Sequence, residues 1–150
     1  MPAVTPMEIA LQEARAAAER GEVPIGAVVV DGSSGEVVAR AGNETRAQND
    51  PTAHAEILAI RRAAAVLGAE RLTGCDLYVT LEPCTMCAAA ISFARLRRLY
   101  YGAEDPKGGG VVYGARFFSQ PTCHHKPEVY GGIGEVAAAE ILRGFFAARR

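Results

Sequence analysis

Cys84 and Cys87 stand three residues apart in the run LEPCTMCAAA, Leu81 to Ala90, directly behind Pro83. A cysteine packs acceptably among apolar neighbours, so burial alone is one reading of the pair. Two cysteines at i, i+3 on the first turn of a helix also share a face, where their sulfurs can grip a metal. His54, in the run HAE, offers a nitrogen ligand, and one nitrogen with two sulfurs suits zinc. A structural zinc takes four protein ligands, whereas a catalytic zinc keeps one place for water. Three clear ligands imply the catalytic kind. Glu56, two residues past His54, is then the natural proton carrier. Bound zinc brings the pKa of its water toward about 7, and a carboxylate within reach can take that proton. Two other readings stay open. His124, His125, Cys75 or Cys123 would close the site as a fourth ligand. A CxxC pair also serves thiol–disulfide exchange, but that role explains neither His54 nor Glu56.

Helix starts are what bring such residues together, because helical side chains lean toward the N-terminus and first-turn residues can meet ahead of the axis. Two helix starts aimed at one ion also favour thiolate and hydroxide there. The sequence provides both starts. A helix beginning near Thr52 or Ala53 runs through HAEILAIRRAAAVL to Gly68, and another begins just after Pro83 with TMCAAAISFARL. Ahead of them, Thr5, Pro6 and Glu8 form a capping box for a first helix. That helix carries an apolar stripe of Ile9, Ala10, Leu11, Ala14, Ala17 and Ala18, and Gly21 ends it. IGAVVV (Ile25–Val30) and VVARAGN (Val37–Asn43) form a hairpin around DGSSGE. DLYVTL (Asp76–Leu81) and RRLYYGA (Arg97–Ala103) are further strands. EDPKGGG is a loop whose glycines allow close backbone approach. VYGARFFSQ suits a short helix, PEVYGGI a fifth strand, and GEVAAAEILRGFFAARR a terminal helix with Arg149 and Arg150 in its last turn. Strands alternating with helices imply an α/β sandwich, and the tight first hairpin makes its sheet mixed.

Composition narrows the function classes. The chain has 150 residues, 49% of them hydrophobic, and four cysteines. That is one ordinary domain, too apolar for disorder and too sparse in cysteine for a disulfide framework. No apolar run reaches the roughly 18 residues of a membrane helix, and the N-terminus turns polar too early for a signal peptide, so a cytoplasmic protein is expected. Net charge is −1, but Arg95–Arg150 carry nine Lys/Arg against five Asp/Glu, and residues 1–94 carry seven against twelve. The basic C-terminal third could face an acidic partner such as RNA.

HAEI and LEPCTMC together carry the H-x-E and P-C-x-x-C signature of the zinc-dependent nucleoside and nucleobase deaminases, a family this chain resembles. Within it, the chain is similar nearly end to end to the bacterial tRNA-specific adenosine deaminases. The likeness runs through EVPIGAVVV, GNETRAQNDPTAHAEI, DLYVTLEPCTMCAAAI, YYGAEDPKGG and the closing FFAARR. The resemblance implies a cytidine-deaminase-like fold, a three-layer α/β/α sandwich with a mixed five-stranded sheet, in which residues 1–150 form a single deaminase domain. It implies one Zn2+ per subunit, held by His54, Cys84 and Cys87, with Glu56 as proton shuttle. It further implies a homodimer acting on a tRNA anticodon stem-loop, where wobble adenosine becomes inosine. Asn43 would contact the nucleoside, and the backbone amide of Ala55 and Pro83 would frame the base. Asp105 and Lys107 would lie near the flanking nucleotides. Phe145, Phe146, Arg149 and Arg150 would approach the anticodon loop. Core packing is the alternative for the two phenylalanines, and a solvated helix end for the two arginines. Two other functions use the same motifs: deamination of a free base or nucleoside such as guanine, cytosine or cytidine, and a non-catalytic zinc-stabilised binding module. Glu56 speaks against the last, since a structural site has no use for an uncoordinated carboxylate.

Overall fold

A computed structural model describes residues 4–149. Its centre is a five-stranded mixed sheet: β1 (Gly26–Asp31), β2 (Val37–Gly42), β3 (Cys75–Leu81), β4 (Arg98–Ala103) and β5 (Glu128–Tyr130) in the order β2-β1-β3-β4-β5. β1 is antiparallel to both β2 and β3, while β3–β4 and β4–β5 are parallel. Strand alternation sends successive residues to opposite faces. Ala27, Val29, Leu77, Val79, Leu99 and Tyr101 pack under α2 (Ala55–Leu67) and α3 (Thr85–Phe93). Val28, Val30 and Ala103 pack under α1 (Pro6–Glu19) and α4 (Glu135–Ala147). The result is a three-layer α/β/α sandwich. No helix among the described residues is long and apolar enough to cross a membrane.

Local chemistry explains most element ends. Thr5 accepts from the Glu8 amide, and the Glu8 carboxylate accepts from the Thr5 amide. The buried face of α1 is Met7, Ala10, Leu11, Ala14 and Ala17, while Ile9 and Ala18 sit at its half-exposed margins. Asp31 closes the hairpin by accepting from the amides of Ser33 and Ser34. Gly68 ends α2 at φ +63°, a conformation costly for any residue with a Cβ.

Several boundaries differ from the sequence expectation, three of them near expected site residues or changing an element's type. α2 begins at Ala55, because Asp50 folds residues 50–53 into a turn by accepting from the Thr52 amide and hydroxyl and the Ala53 amide. VYGARFFSQ holds only a 3-10 turn, Phe117–Ser119. α4 stops at Ala147, so Arg149 lies beyond its last turn, and Arg150 lies outside the described residues.

The topology gathers one edge of the sheet. Antiparallel β1 enters where β3 and β4 leave, so Ile25, Leu81 and Ala103 meet at this edge, as does Asn43 at the exit of β2. α2 and α3 both start there.

Candidate metal centre and its cavity

His54 is the N-cap of α2 and Cys84 the N-cap of α3, each in an extended conformation. N-caps are ordinarily Ser, Thr, Asp or Asn, whose side chains turn back onto the helix. Neither His54 nor Cys84 makes that bond. Both side chains point instead toward each other and toward Cys87, one turn into α3. His54 Nδ1 lies 3.6 Å from Cys84 Sγ and 3.5 Å from Cys87 Sγ. Tetrahedral zinc at ordinary bond lengths separates its nitrogen and sulfur ligands by about 3.6 Å. The donor spacing therefore fits the ion without rearrangement. Among the described residues this trio is the one group of three or more His, Cys, Asp or Glu able to hold a metal.

The candidate fourth ligands are elsewhere. Cys75 begins β3, at the opposite edge of the sheet. His125 Nε2 is 2.6 Å from the Leu96 carbonyl, and the Cys123 thiol donates to the His125 carbonyl. His124 joins no ligand cluster among the described residues.

The first amide of α2, left uncapped by His54, is served from outside. Ala55 N–H donates to Asn43 Oδ1 at 3.2 Å across a buried gap. Asn43 thus ties the exit of β2 to the helix that carries His54 and Glu56. The Ala55 amide, expected to meet a base, is engaged by this bond.

A cavity of about 240 Å3 opens beside the ligands, lined by Ile25, His54, Glu56, Leu81, Glu82, Cys84, Asp105 and Gly108. Glu56 is 4% exposed, and its Oε1 is buried with no hydrogen-bond partner. A buried polar atom left unpaired costs about 1–3 kcal/mol, so it persists only where something else uses it. Burial is the main force that lifts the Glu56 carboxyl to about 7; the Cys84 thiolate adds to it and His54 opposes it. Cys84 is held near 4, first by the hydrogen bond from the Cys87 thiol and then by one from His54, against its own burial. Cys87 is pushed up by that same bond and by burial. His54 is raised by its bond to Cys84. The metal-free trio is thus a stabilised thiolate flanked by two donors, with a carboxyl group beside it able to gain or lose a proton near neutral pH.

The remaining expected residues divide by place. Pro83 is buried, and its carbonyl accepts from Gly110 N–H. Asp105 lines the cavity, whereas Lys107 is exposed on the same loop. Phe145 is 9% exposed, with the Arg149 guanidinium 3.5 Å above its ring, so core packing describes it. Phe146 is 49% exposed beside Leu142, Arg143 and Ala147. Sequence reasoning missed Ile25 and Leu81 as cavity walls, and above all Glu82. The available signal was a charged residue between an apolar strand and a buried turn, with three consecutive glycines downstream to pack against it.

The family model described as MafB19-like deaminase matches residues 3–150. A tRNA-specific adenosine deaminase of Agrobacterium fabrum is 69% identical over 144 residues, covering 96% of this chain and 93% of that protein. The Rickettsia bellii tRNA-specific adenosine deaminase is 44% identical over 93% of this chain and 97% of its own length. A solved structure from work on A-to-I editing by tRNA:A34 deaminases at the wobble position of transfer RNA superposes with a TM-score of 0.89. It is 70% identical, covering 91% of this chain and 98% of that one.

Proposed function

We propose, from the premise that this chain belongs to the MafB19-like deaminase family, that it converts adenosine to inosine at the wobble position of a tRNA anticodon loop. It is a hydrolytic deaminase, as its tRNA-specific adenosine deaminase relatives are named. The observation that carries the mechanism is the unpartnered Glu56 oxygen in the cavity beside one imidazole and two thiols.

His54, Cys84 and Cys87 hold one Zn2+ per chain, and residues 1–150 act as a single deaminase domain. Bound there, zinc supplies the activation of a water molecule. Glu56 does the proton work. Its free oxygen takes a proton from the attacking water and delivers it to N1 of the adenine as oxygen bonds to C6. It then carries the second proton to the amino group, which leaves as ammonia while the C6 carbonyl forms. A buried carboxyl with a free oxygen facing the cavity suits both transfers. A loop nucleotide is already partly unstacked, so turning it into the cavity costs less than extruding it from a duplex. Asn43 and Pro83 frame the base, with the Ala55 amide holding the Asn43 side chain in place, and Asp105 and Lys107 meet the flanking nucleotides. Phe146 on α4 and Arg149 just past its end extend the contact, and Arg150 adds a positive charge. Phe145 supports that surface from beneath rather than stacking on RNA.

A homodimer completes the proposal. Ile57, Ile60, Ala90 and Phe93 line a groove between α2 and α3 together with Arg61 and Glu70, and Phe93 is 73% exposed. The protein works in the cytoplasm, where its tRNA substrate is.

The test is incubation of purified protein with an anticodon stem-loop bearing a wobble adenosine, in parallel with free guanine, cytosine and cytidine. Inosine in the stem-loop with stoichiometric ammonia is expected. Turnover of the free compounds alone would replace this reading with a nucleobase deaminase, and turnover of nothing by zinc-loaded protein would leave a binding module.

A further inference from the structure

Glu82 is 2% exposed and follows the last residue of β3, immediately ahead of Pro83 and the ligand Cys84. No Lys, Arg or His nitrogen pairs with it among the described residues. Its charge is met by backbone instead. Oε1 accepts from the Asp105 amide at 3.0 Å. Oε2 accepts from three successive amides, Val111 at 3.1 Å, Val112 at 2.9 Å and Tyr113 at 3.1 Å. Consecutive N–H groups converging on one oxygen form an anion nest, here filled by a side chain of the protein. The adjoining Pro83 carbonyl takes the Gly110 amide at 2.8 Å. Gly109 lies so close that a Cβ there would run into the Glu82 carboxylate. One dipeptide therefore pins both ends and the middle of residues 105–113, the loop that carries Asp105, Lys107 and Gly108.

We infer that Glu82 is a positioning residue: its buried carboxylate fixes the nucleotide-facing loop relative to the metal-bearing turn, so that binding of the stem-loop depends on it while the chemistry does not. This rests on the substrate reading above. The asymmetry of the bonds makes the consequence specific. In Glu82→Gln the carbonyl oxygen keeps the three-amide nest, and the new NH2 faces the Asp105 N–H, donor against donor. The Asp105 end of the loop, the end that lines the cavity, is the part released. Lost positioning of groups that touch the substrate away from the reacting bond weakens ground state and transition state alike, which raises KM and spares kcat.

Two readouts test this. Hydrogen exchange of the backbone amides of residues 105–113 reports the anchoring without any substrate. It is slow in the wild type and accelerated at the Asp105 end in Glu82→Gln. Kinetics on the anticodon stem-loop report the consequence: KM rises by about 10–100-fold, the range seen when supporting groups or remote contacts are displaced, with kcat and zinc content at wild-type values. Gly109→Ala pushes on the same carboxylate from the loop side, gives the same split, and carries the test if Glu82→Gln does not fold. Unchanged exchange, an unchanged KM, or a fall in kcat with KM intact overturns the proposal. If wild-type enzyme turns over only free bases, the substrate reading falls by itself, and the exchange data still decide whether Glu82 anchors the loop.

Discussion

Glu56 and Glu82 are both almost wholly removed from water, 4% and 2% exposed, and both line one cavity. They differ in what surrounds the oxygens. Glu82 accepts four backbone amides. Glu56 keeps one buried oxygen with no partner. A satisfied buried carboxylate is a fastening, because every lone pair that faces protein is in use. An unsatisfied one carries a standing cost of burial and is held ready for a partner that arrives later. The contrast separates the half of the cavity proposed to do chemistry, at the starts of α2 and α3, from the half that presents a wall, at residues 105–113.

The largest effect expected of this contrast is on turnover. Glu56→Gln keeps the shape of the site and removes the proposed proton carrier, so kcat on the stem-loop is expected to fall by about 10²–10⁴-fold, the usual worth of a positioned acid–base group. Zinc content and fold are retained. Wild-type turnover by this variant breaks the comparison, since Glu56 would then be one more structural carboxylate.

A smaller effect concerns stability in the metal-free protein. Folding lifts the Glu56 carboxyl from an ordinary 4.5 to about 7. The folded state therefore holds a proton that the unfolded chain has shed between those values. The resulting stabilisation is complete below about pH 4.5 and is lost as pH rises through about 7, in total about 3 kcal/mol. Cys84, lowered to about 4, acts in the opposite sense, its contribution being lost as pH falls through that value. The difference between wild type and Glu56→Gln isolates the carboxyl. Urea unfolding at a series of pH values shows that difference changing across the 4.5–7 window, and a flat difference contradicts the cause assigned to Glu56.

The smallest effect lies far from the cavity, where Glu8 is a carboxylate both bonded and exposed. Thr5→Ala breaks its reciprocal cap and costs about 1 kcal/mol of stability by thermal unfolding, with stem-loop kinetics unchanged. A loss comparable to that of a core substitution would mean that exposure does not grade these carboxylates as argued.

Much of this was legible in the residues. The paired cysteines and the HAE run point to residues that the structure gathers into a group able to hold a metal, because helix starts are marked by composition, and helix starts set where side chains can meet. The mixed sheet follows from a hairpin too short for a crossover. The division of α1 and α4 from α2 and α3 onto opposite faces was not legible, because it depends on which strands neighbour one another. Asn43 shows the limit well. Its type suits a contact with a ligand, yet its bond to the Ala55 amide appears only once the exit of β2 and the start of α2 share an edge. Glu82 was hidden for the same reason, since its partners lie more than twenty residues away and are all backbone.

The proposed deamination needs a zinc ion with three protein ligands. X-ray absorption at the zinc edge of the purified protein tests that directly. One zinc per chain with two sulfur scatterers and two lighter ones, one from His54 and one from water, is the predicted result. A third sulfur in the shell, or no zinc in active protein, would contradict it.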